Sequence, residues 1–352
     1  MNAASGTARS VSRRLSGQVD LLSLYAHLSD GGRCTDTMLL ETTAGTSIVL
    51  VQAAVRMECR GGQVVLEALS IGGRAVLRIV ERDLAGAVEE RTVEQVTLRF
   101  DRSTEIDAEL RLVDPYPFDV LPAITSGIRS ETEEEPFTVC LVGVVAFDHV
   151  DLFEELPAST EDPVGFPDFV FWLAESFVVA EPGRTPRLIC TSFGEGDAEQ
   201  ARRSHFSAIE RLSELSNRAS HMKPFAPADE SAAAAQVRTD LDDDQFASVV
   251  SQLKEHILAG DVYQIVPSRT FSAPCGDTLS RLRTLDRSPY MFFVSMPEFT
   301  LFGASPETSV RVTGEEGEKI VEVKPIAGTR PRGASADDDD RMEADLRLDH
   351  KE

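Results

Sequence analysis

The sequence predicts an α+β fold, and three observations carry that prediction. Beyond residue 260 the apolar spacing drops from the helical 3.6 to an alternation of 2. The strand candidates there follow one another through connections of only a few residues, which favours antiparallel pairing, since a parallel crossover needs a dozen residues or more. A helix followed by these strands is an α+β rather than a doubly wound pattern, and the chain shows no repeat at a fixed period. The chain has 352 residues, 42% of them hydrophobic and 27% charged, so it is long enough to bury a core and is not disordered as a whole.

Element by element, residues 1–18 are rich in Ser, Ala and Arg and are expected to be disordered. Strands are expected at 38–40, 47–51 and 63–69, with Gly61 and Gly62 forming a turn. Residues 139–147 and 169–174 read as buried strands. Residues 199–215 read as a helix with Phe206, Ile209, Leu212 and Leu215 on one face. Residues 220–236 are rich in Ala, Pro, Ser and charge and make the best linker. After it, Asp242, Asp243 and Asp244 are good N-cap material for an amphipathic helix carrying Phe246, Val249, Val250, Leu253 and Ile257, and Gly260 stands where a left-handed C-terminus is wanted. Strands are then expected at 262–266, 291–296, 299–304, 309–313 and 319–324, with a hairpin turn at 314–317. Met342 and Leu346 read as the opening turns of a last helix, which has no C-cap signal before Glu352. The domain expectation is therefore a disordered 1–18, an N-terminal domain over 19–219, a linker over 220–240 and a second domain starting at 241.

The formal net charge of −24 argues against nucleic acid as a main partner, because phosphate binding needs clustered Lys and Arg. No run approaches a membrane span, and no secretory signal is recognisable. Five scattered cysteines without C-x₂-C spacing predict neither a disulfide framework nor a zinc site, and a reducing, cytoplasmic location is expected. The six histidines have no ligand spacing, and there is no P-loop and no G-x-G-x-x-G. Any anionic ligand would need local positive charge against this acidic field.

Residues 325–333, Pro-Ile-Ala-Gly-Thr-Arg-Pro-Arg-Gly, supply such a place directly after a strand. Gly328 permits close approach of a ligand to the main chain, Thr329 offers a hydroxyl and an N–H, and Arg330 and Arg332 could meet a carboxylate. The alternative is a rigid turn whose arginines are solvated or paired with residues 337–340, all aspartates. Gly303-Ala304-Ser305-Pro306-Glu307 sets a hydroxyl and a carboxylate at a strand end, or is an ordinary turn with a surface Glu. In residues 260–269, strand alternation would put Gln264 on one face with Val262 and Val266. Residues 288–293, Ser-Pro-Tyr-Met-Phe-Phe, read mostly as core.

Taken in order, these segments and the closing Asp-His-Lys-Glu resemble the chorismate-utilising enzyme family, in its anthranilate synthase component I branch, throughout residues 243–352. The first half resembles it more loosely, at Leu39-Leu40-Glu41-Thr42, at 143–148 and at 166–175. The resemblance implies two packed antiparallel β-sheets flanked by helices, with the two halves of the sequence interlocked and chorismate and Mg²⁺ in a cleft. It further implies an N-terminal regulatory domain and a catalytic domain beginning at 241. The family pattern continues past Glu352, so the chain is expected to be a fragment, incomplete at the C-terminus and inactive by itself.

Sister enzymes of the family carry Lys where Gln264 stands, as a base for water, or Lys where Ala327 stands, as a nucleophile. A neutral amide takes no proton at useful pH and Ala has no nucleophile. The resemblance therefore implies attack by ammonia on chorismate and loss of pyruvate, giving anthranilate, the first step of tryptophan biosynthesis. It implies a partner glutamine amidotransferase subunit as the ammonia source. Gly328 and Thr329 would contact chorismate, with Gln264, Ala327 and Thr329 at the catalytic positions and Glu352 in the Mg²⁺ site. Glu41, Thr42, Pro289, Tyr290 and Met291 would bind L-tryptophan as feedback inhibitor, although Thr42 replaces the family's Ser and the loop after it is shorter; the alternative is that they are core. A different-class reading is a non-catalytic amino-acid-sensing or glutaminase-docking module, and a sister activity such as aminodeoxychorismate synthase is the nearer alternative. The reading frame downstream of the Glu352 codon separates the module from the enzyme.

Overall fold

A computed structural model describes residues 6–352 except 18, 44, 106, 112, 155–163, 196–197, 226–236, 274–277, 287, 316–317, 327 and 350–352. The chain divides into two compact units, Met1–Phe225 with Arg287–Glu352, and Ala226–Asp286.

The first unit is built on a 12-stranded sheet. Its strands are β1 (Gly6–Arg14), β2 (Thr37–Thr42), β3 (Ser47–Arg60), β4 (Gln63–Ala68), β5 (Val88–Arg91), β6 (Gln95–Arg99), β7 (Ile128–Ser130), β8 (Leu141–Val145), β9 (Phe169–Ala180) and β10 (Arg187–Gly194). Its helices in this stretch are α1 (Leu21–Leu28), α2 (Ile71–Asp83), α3 (Ala108–Arg111), α4 (Val120–Gly127) and α5 (Ala198–Ser220). The second unit holds β11 (Arg238–Thr239), α6 (Asp243–Ala259), β12 (Phe271–Ser272) and α7 (Thr278–Leu285). The first unit resumes with β13 (Tyr290–Ser295), β14 (Thr300–Ser305), β15 (Arg311–Glu315), β16 (Glu318–Glu322) and α8 (Ala336–Leu348). The α+β class holds, and every pairing is antiparallel except β1 with β7.

Two long strands, β3 and β9, hold the sheet together, and the sheet branches along them. One arm runs β14-β13-β2-β3-β9-β10-β1-β7, and the other carries β4, β5 and β6 on β3 and β8 on β9. The branch coincides with three register shifts between Leu50 and Val55 on β3. They invert the alternation of β9: Val170, Trp172 and Ala174 enter one core cluster, and beyond Ser176 it is Phe177 and Val179 that do so. The opposite face packs Met57, Cys59, Phe169, Leu173 and Phe193 with Val76, Ile79 and Val80 of α2 and Ile124 of α4. Fully buried Trp172, Phe169 and Phe177 each contribute on the order of 1.5–3 kcal/mol by burial. Buried Cys59 and Cys140 have thiols pushed up to about 12, and Cys190 to about 11, chiefly by desolvation, so they are unreactive core groups.

The strands expected at 38–40, 47–51, 63–69, 139–147 and 169–174 are β2, β3, β4, β8 and β9. Gly61 and Gly62 make the β3–β4 turn, both at positive φ. The expectation of disorder over 1–18 is corrected. Gly6–Arg14 is a strand held between β10 and β7, with Ala8 and Ser10 buried and Ser10 Oγ bonded to Thr138 and Thr191 hydroxyls. Small and polar side chains fill the inward positions there, so no apolar alternation marks it. The helix expected over 199–215 is α5, but Phe206 and Ile209 are exposed; its buried face is Ala208, Leu212 and Leu215.

The chain re-enters the first sheet at β13. Tyr290 to Ser295 pair with Thr42 to Thr37 of β2 on one side and with β14 on the other. The stretch expected as one domain from 241 is thereby split: 241–286 falls in the second unit and residues 287–352 cluster with the N-terminal half. In the second unit, Asp242 and Gln245 form a reciprocal capping box on α6, and Gly260 closes it at φ 82°. Residues 262–266 form no strand; Tyr263 and Val266 are exposed, with no described strand beside them to complete a ladder. The last helix, α8, starts earlier than expected, capped by Ser335, and ends at Leu348. Val312, Ile320 and Val321 of the β15–β16 hairpin are exposed. Among the described residues no helix is long and apolar enough to cross a membrane.

Candidate functional site

Three of the sequence motifs meet in the first unit. β14 ends at Ser305, whose hydroxyl donates to the Glu307 carbonyl at 3.2 Å and accepts from the Glu307 N–H at 3.3 Å, a turn closed on itself. The Glu307 carboxylate then accepts from the Ile326 N–H at 3.3 Å, tying this turn to the 325–333 loop. The Tyr290 hydroxyl, from the neighbouring strand, bonds Thr308 Oγ1. Gly303 is required by packing: a Cβ there would lie 2.5 Å from the Phe292 ring. Segments 289–293, 303–308 and 325–333 are therefore neighbours, although Glu307 and Ile326 stand 19 positions apart in the chain.

Within the loop, Gly328 is half-buried and Thr329 is exposed. The arginines are held by acids of α8 and its C-terminal end. Arg330 donates to Asp345 and Asp349, both at 2.7 Å, and to the Thr329 carbonyl at 3.2 Å. These hydrogen bonds raise the Arg330 pKa further. Arg332 donates to Asp339 at 3.1 Å, and Asp339 also accepts the Gly333 N–H at 2.7 Å. That N–H, then Arg332, holds the Asp339 carboxyl below its ordinary range. The pairing with residues 337–340 thus applies to Arg332 but not to Arg330. A ligand carboxylate at either arginine would have to compete with a carboxylate already in place.

The five residues assigned to an inhibitor pocket also lie together. Thr42 pairs with Tyr290 and Glu41 with Met291, and the Thr43 N–H donates to the Pro289 carbonyl at 3.0 Å. Cross-strand partners share a face. Thr42 and Tyr290 therefore continue the face of Met38 and Val294, which enters the sheet core. Glu41 and Met291 continue the other face, where Phe293 packs on Tyr25 of α1 at 5.4 Å between ring centroids. The pocket residues thus present two side-chain pairs on opposite faces of the strand end. Met291 is buried; the other four are half-buried.

Gln264 lies in the second unit and is exposed. Ala327 and Glu352 lie outside the described residues. Among the described residues no group of three or more His, Cys, Asp or Glu could hold a metal ion. Glu352 is the one Mg²⁺ ligand that the family resemblance implies.

Sequence reasoning passed over one cluster. Glu175 is buried on β9, beside Ser70 of the α2 cap, Gln52 of β3 and Arg211 of α5. The available signal was a carboxylate inside the otherwise apolar run of β9.

The family profile described as chorismate binding enzyme matches residues 88–352. Anthranilate synthase component 1 of Vibrio cholerae serotype O1 is 36% identical over 344 residues, covering 93% of this chain and 64% of that protein. The Escherichia coli K12 protein of the same name is 34% identical, covering 87% of this chain and 59% of its own length. The crystal structure of anthranilate synthase component I from Streptococcus pneumoniae TIGR4 matches with a TM-score of 0.53 at 22% identity, over 88% of this chain and 58% of that one, a likeness of fold. The chain thus spans roughly three-fifths of the length of the curated relatives it matches.

Proposed function

The chain belongs to the chorismate-binding enzyme family, and from that premise we propose that the protein carrying it converts chorismate and ammonia to anthranilate, pyruvate and water, the first step of tryptophan biosynthesis. The observation that carries the reading is the pair of residue types at 264 and 327. Gln264 stands where a base for water would be needed, and Ala327 where an amine nucleophile would be needed. Neither can act, so an external nucleophile is required, and ammonia at ring C2 is the one whose product is anthranilate.

In this proposal Gly328 and the Thr329 hydroxyl hold chorismate on the 325–333 loop. The exposure of Thr329 leaves its hydroxyl available to a ligand, and the Glu307–Ile326 bond fixes the start of the loop. Arg330 and Arg332, paired with α8 acids, act on loop shape rather than as free anion binders. Mg²⁺ belongs to the proposal, with Glu352 among its carboxylates; bound, it supplies Lewis-acid polarisation of a substrate carboxylate. A glutamine amidotransferase subunit supplies the ammonia. L-Tryptophan inhibits by binding at Glu41, Thr42, Pro289, Tyr290 and Met291, where β2 and β13 bring distant parts of the sequence together.

The test is to incubate the protein with chorismate, Mg²⁺ and ammonium and to identify the aromatic product. Anthranilate is expected. Isochorismate, salicylate or aminodeoxychorismate as main product overturns the assignment.

A further inference from the structure

At the end of β1, beside α1 and the last turns of α5, lies a cavity of about 560 Å³. Arg13 and Arg14 line it from the strand, and Ser213, Ser216, Asn217 and Ser220 line it from the helix. The four helix positions follow the i, i+3, i+4, i+7 spacing, so one stripe of α5 turns to the cavity. A helix stripe that faces the body of a protein is ordinarily apolar, as the buried Leu212 and Leu215 beside this one are. Here every side chain of the stripe carries a hydroxyl or an amide, and none carries a charge. Ser216 Oγ is covered and has no hydrogen-bond partner among the described residues, so a polar group of this wall is left unused.

The two arginines set the charge of the site. Elsewhere in the first unit arginines are mostly held by carboxylates, Arg56, Arg187 and Arg330 among them. Arg13 and Arg14 are exposed and have no acid or hydrogen-bond partner among the described residues. Glu214 is the one acid on the wall among the described residues, so the lining is net positive in a chain of formal charge −24. The backbone directly after the arginines is fixed: Leu15 is buried and its N–H donates to the Pro186 carbonyl at 2.8 Å. Gly17, at φ 84°, then turns the chain before α1. The carbonyls that end α5 would disfavour an anion if left free, but they have partners. That of Asn217 accepts from the Ser220 hydroxyl at 2.7 Å, that of Arg218 from the His221 N–H at 3.0 Å and that of Ala219 from the Met222 N–H at 3.2 Å.

We propose that this cavity binds a small phosphate monoester, its phosphate on Arg13 and Arg14 and its polar body along Ser213, Asn217 and Ser220. A phosphate monoester has three terminal oxygens, acceptors enough for two guanidiniums together with hydroxyl and amide donors, whereas a carboxylate has two. The volume exceeds what a bare phosphate fills, which leaves room for the esterified group. The site shares no residue with the chorismate loop or with the Glu41–Met291 strand ends.

Calorimetric titration of the full chain with glycerol 3-phosphate and glucose 6-phosphate tests it, with acetate, glycerol and glucose as controls. At least one phosphate ester binds, and the three controls do not. The double variant Arg13→Gln with Arg14→Gln weakens that binding roughly tenfold or more, as loss of charge-assisted bonds requires. Arg9→Gln, on the same strand but lining no part of this cavity, leaves the affinity unchanged and separates a site from a diffuse field of charge. Hydrogen exchange on the unmutated chain gives a reading that needs no variant: the bound ester slows exchange at residues 13–16 and 213–220. No binding of either ester, equal binding of a control, unchanged affinity in the folded double variant, equal weakening by Arg9→Gln, or unchanged exchange in either segment overturns the proposal.

Discussion

His149 shows burial acting on a single titratable group. It is 5% exposed, and neither ring nitrogen has a hydrogen-bond partner among the described residues. Its ring packs on Phe118 at 4.3 Å, Phe153 at 5.3 Å and Phe169 at 5.7 Å. Desolvation lowers its pKa from 6.5. Protonation therefore favours the unfolded chain, and stability falls as pH drops below 6.5. In urea melts at pH 7.5 and 5.5, His149→Phe should lose less stability than the parent; an equal loss in both would refute this. At the proposed chorismate loop, Thr329→Val keeps the shape and removes a hydrogen-bonding hydroxyl. It should lower kcat/KM by about 1–3 kcal/mol equivalent; an unchanged kcat/KM would make Thr329 structural only. Legibility at this scale followed locality. The turn at Gly61 and Gly62, the Asp242 cap and the Gly260 terminus depend on their own few residues and were readable. Glu175 was not, because its environment comes from β3, α2 and α5 at once.

At the level of elements, the join between α2 and the sheet is tightly constrained. The Ser70 cap accepts the Gly73 N–H at 3.1 Å while Gly73 lies against the Ala54 carbonyl. Gly73→Ala must push the helix off the bulged strand, at a cost of about 1–3 kcal/mol. A chemical melt reads this as a lower midpoint, and an unchanged midpoint would mean that the bulge yields freely. The strands that sequence reading found are those whose inward positions are large and apolar, such as Met38, Leu50 and Trp172. β1 escaped because its inward positions are Gly6, Ala8 and Ser10. Residues 262–266 have the alternation of a strand but no strand beside them among the described residues, and alternation alone does not make a ladder. α5 showed the converse: Phe206 and Ile209 look like core and are exposed, while the small Ala208 packs inward.

For the molecule as a whole, the return of β13 into the sheet of β2 matters most. It makes residues 287–352 part of the same unit as the first 225 and sets the proposed tryptophan residues on β13, next to the strand that ends in the 303–308 turn, and on β2 beyond it. That continuity predicts linkage: tryptophan should bind more weakly in the presence of a chorismate analogue, by calorimetry. Equal affinity with and without the analogue, or unchanged binding in both Thr42→Ala and Pro289→Ser, would remove the feedback role from these residues. The family was legible because its motifs are contiguous segments; their meeting was not, since the Glu307–Ile326 bond and the β2–β13 ladder are tertiary. The central claim is that an external ammonia, not water and not a lysine of the protein, becomes bonded to the chorismate ring. The most direct measurement is mass spectrometry of the products formed from chorismate, Mg²⁺ and ¹⁵N-ammonium. The account predicts anthranilate carrying one ¹⁵N with an equal amount of pyruvate. A ring product without ¹⁵N, or a labelled amino product formed without pyruvate, would contradict it.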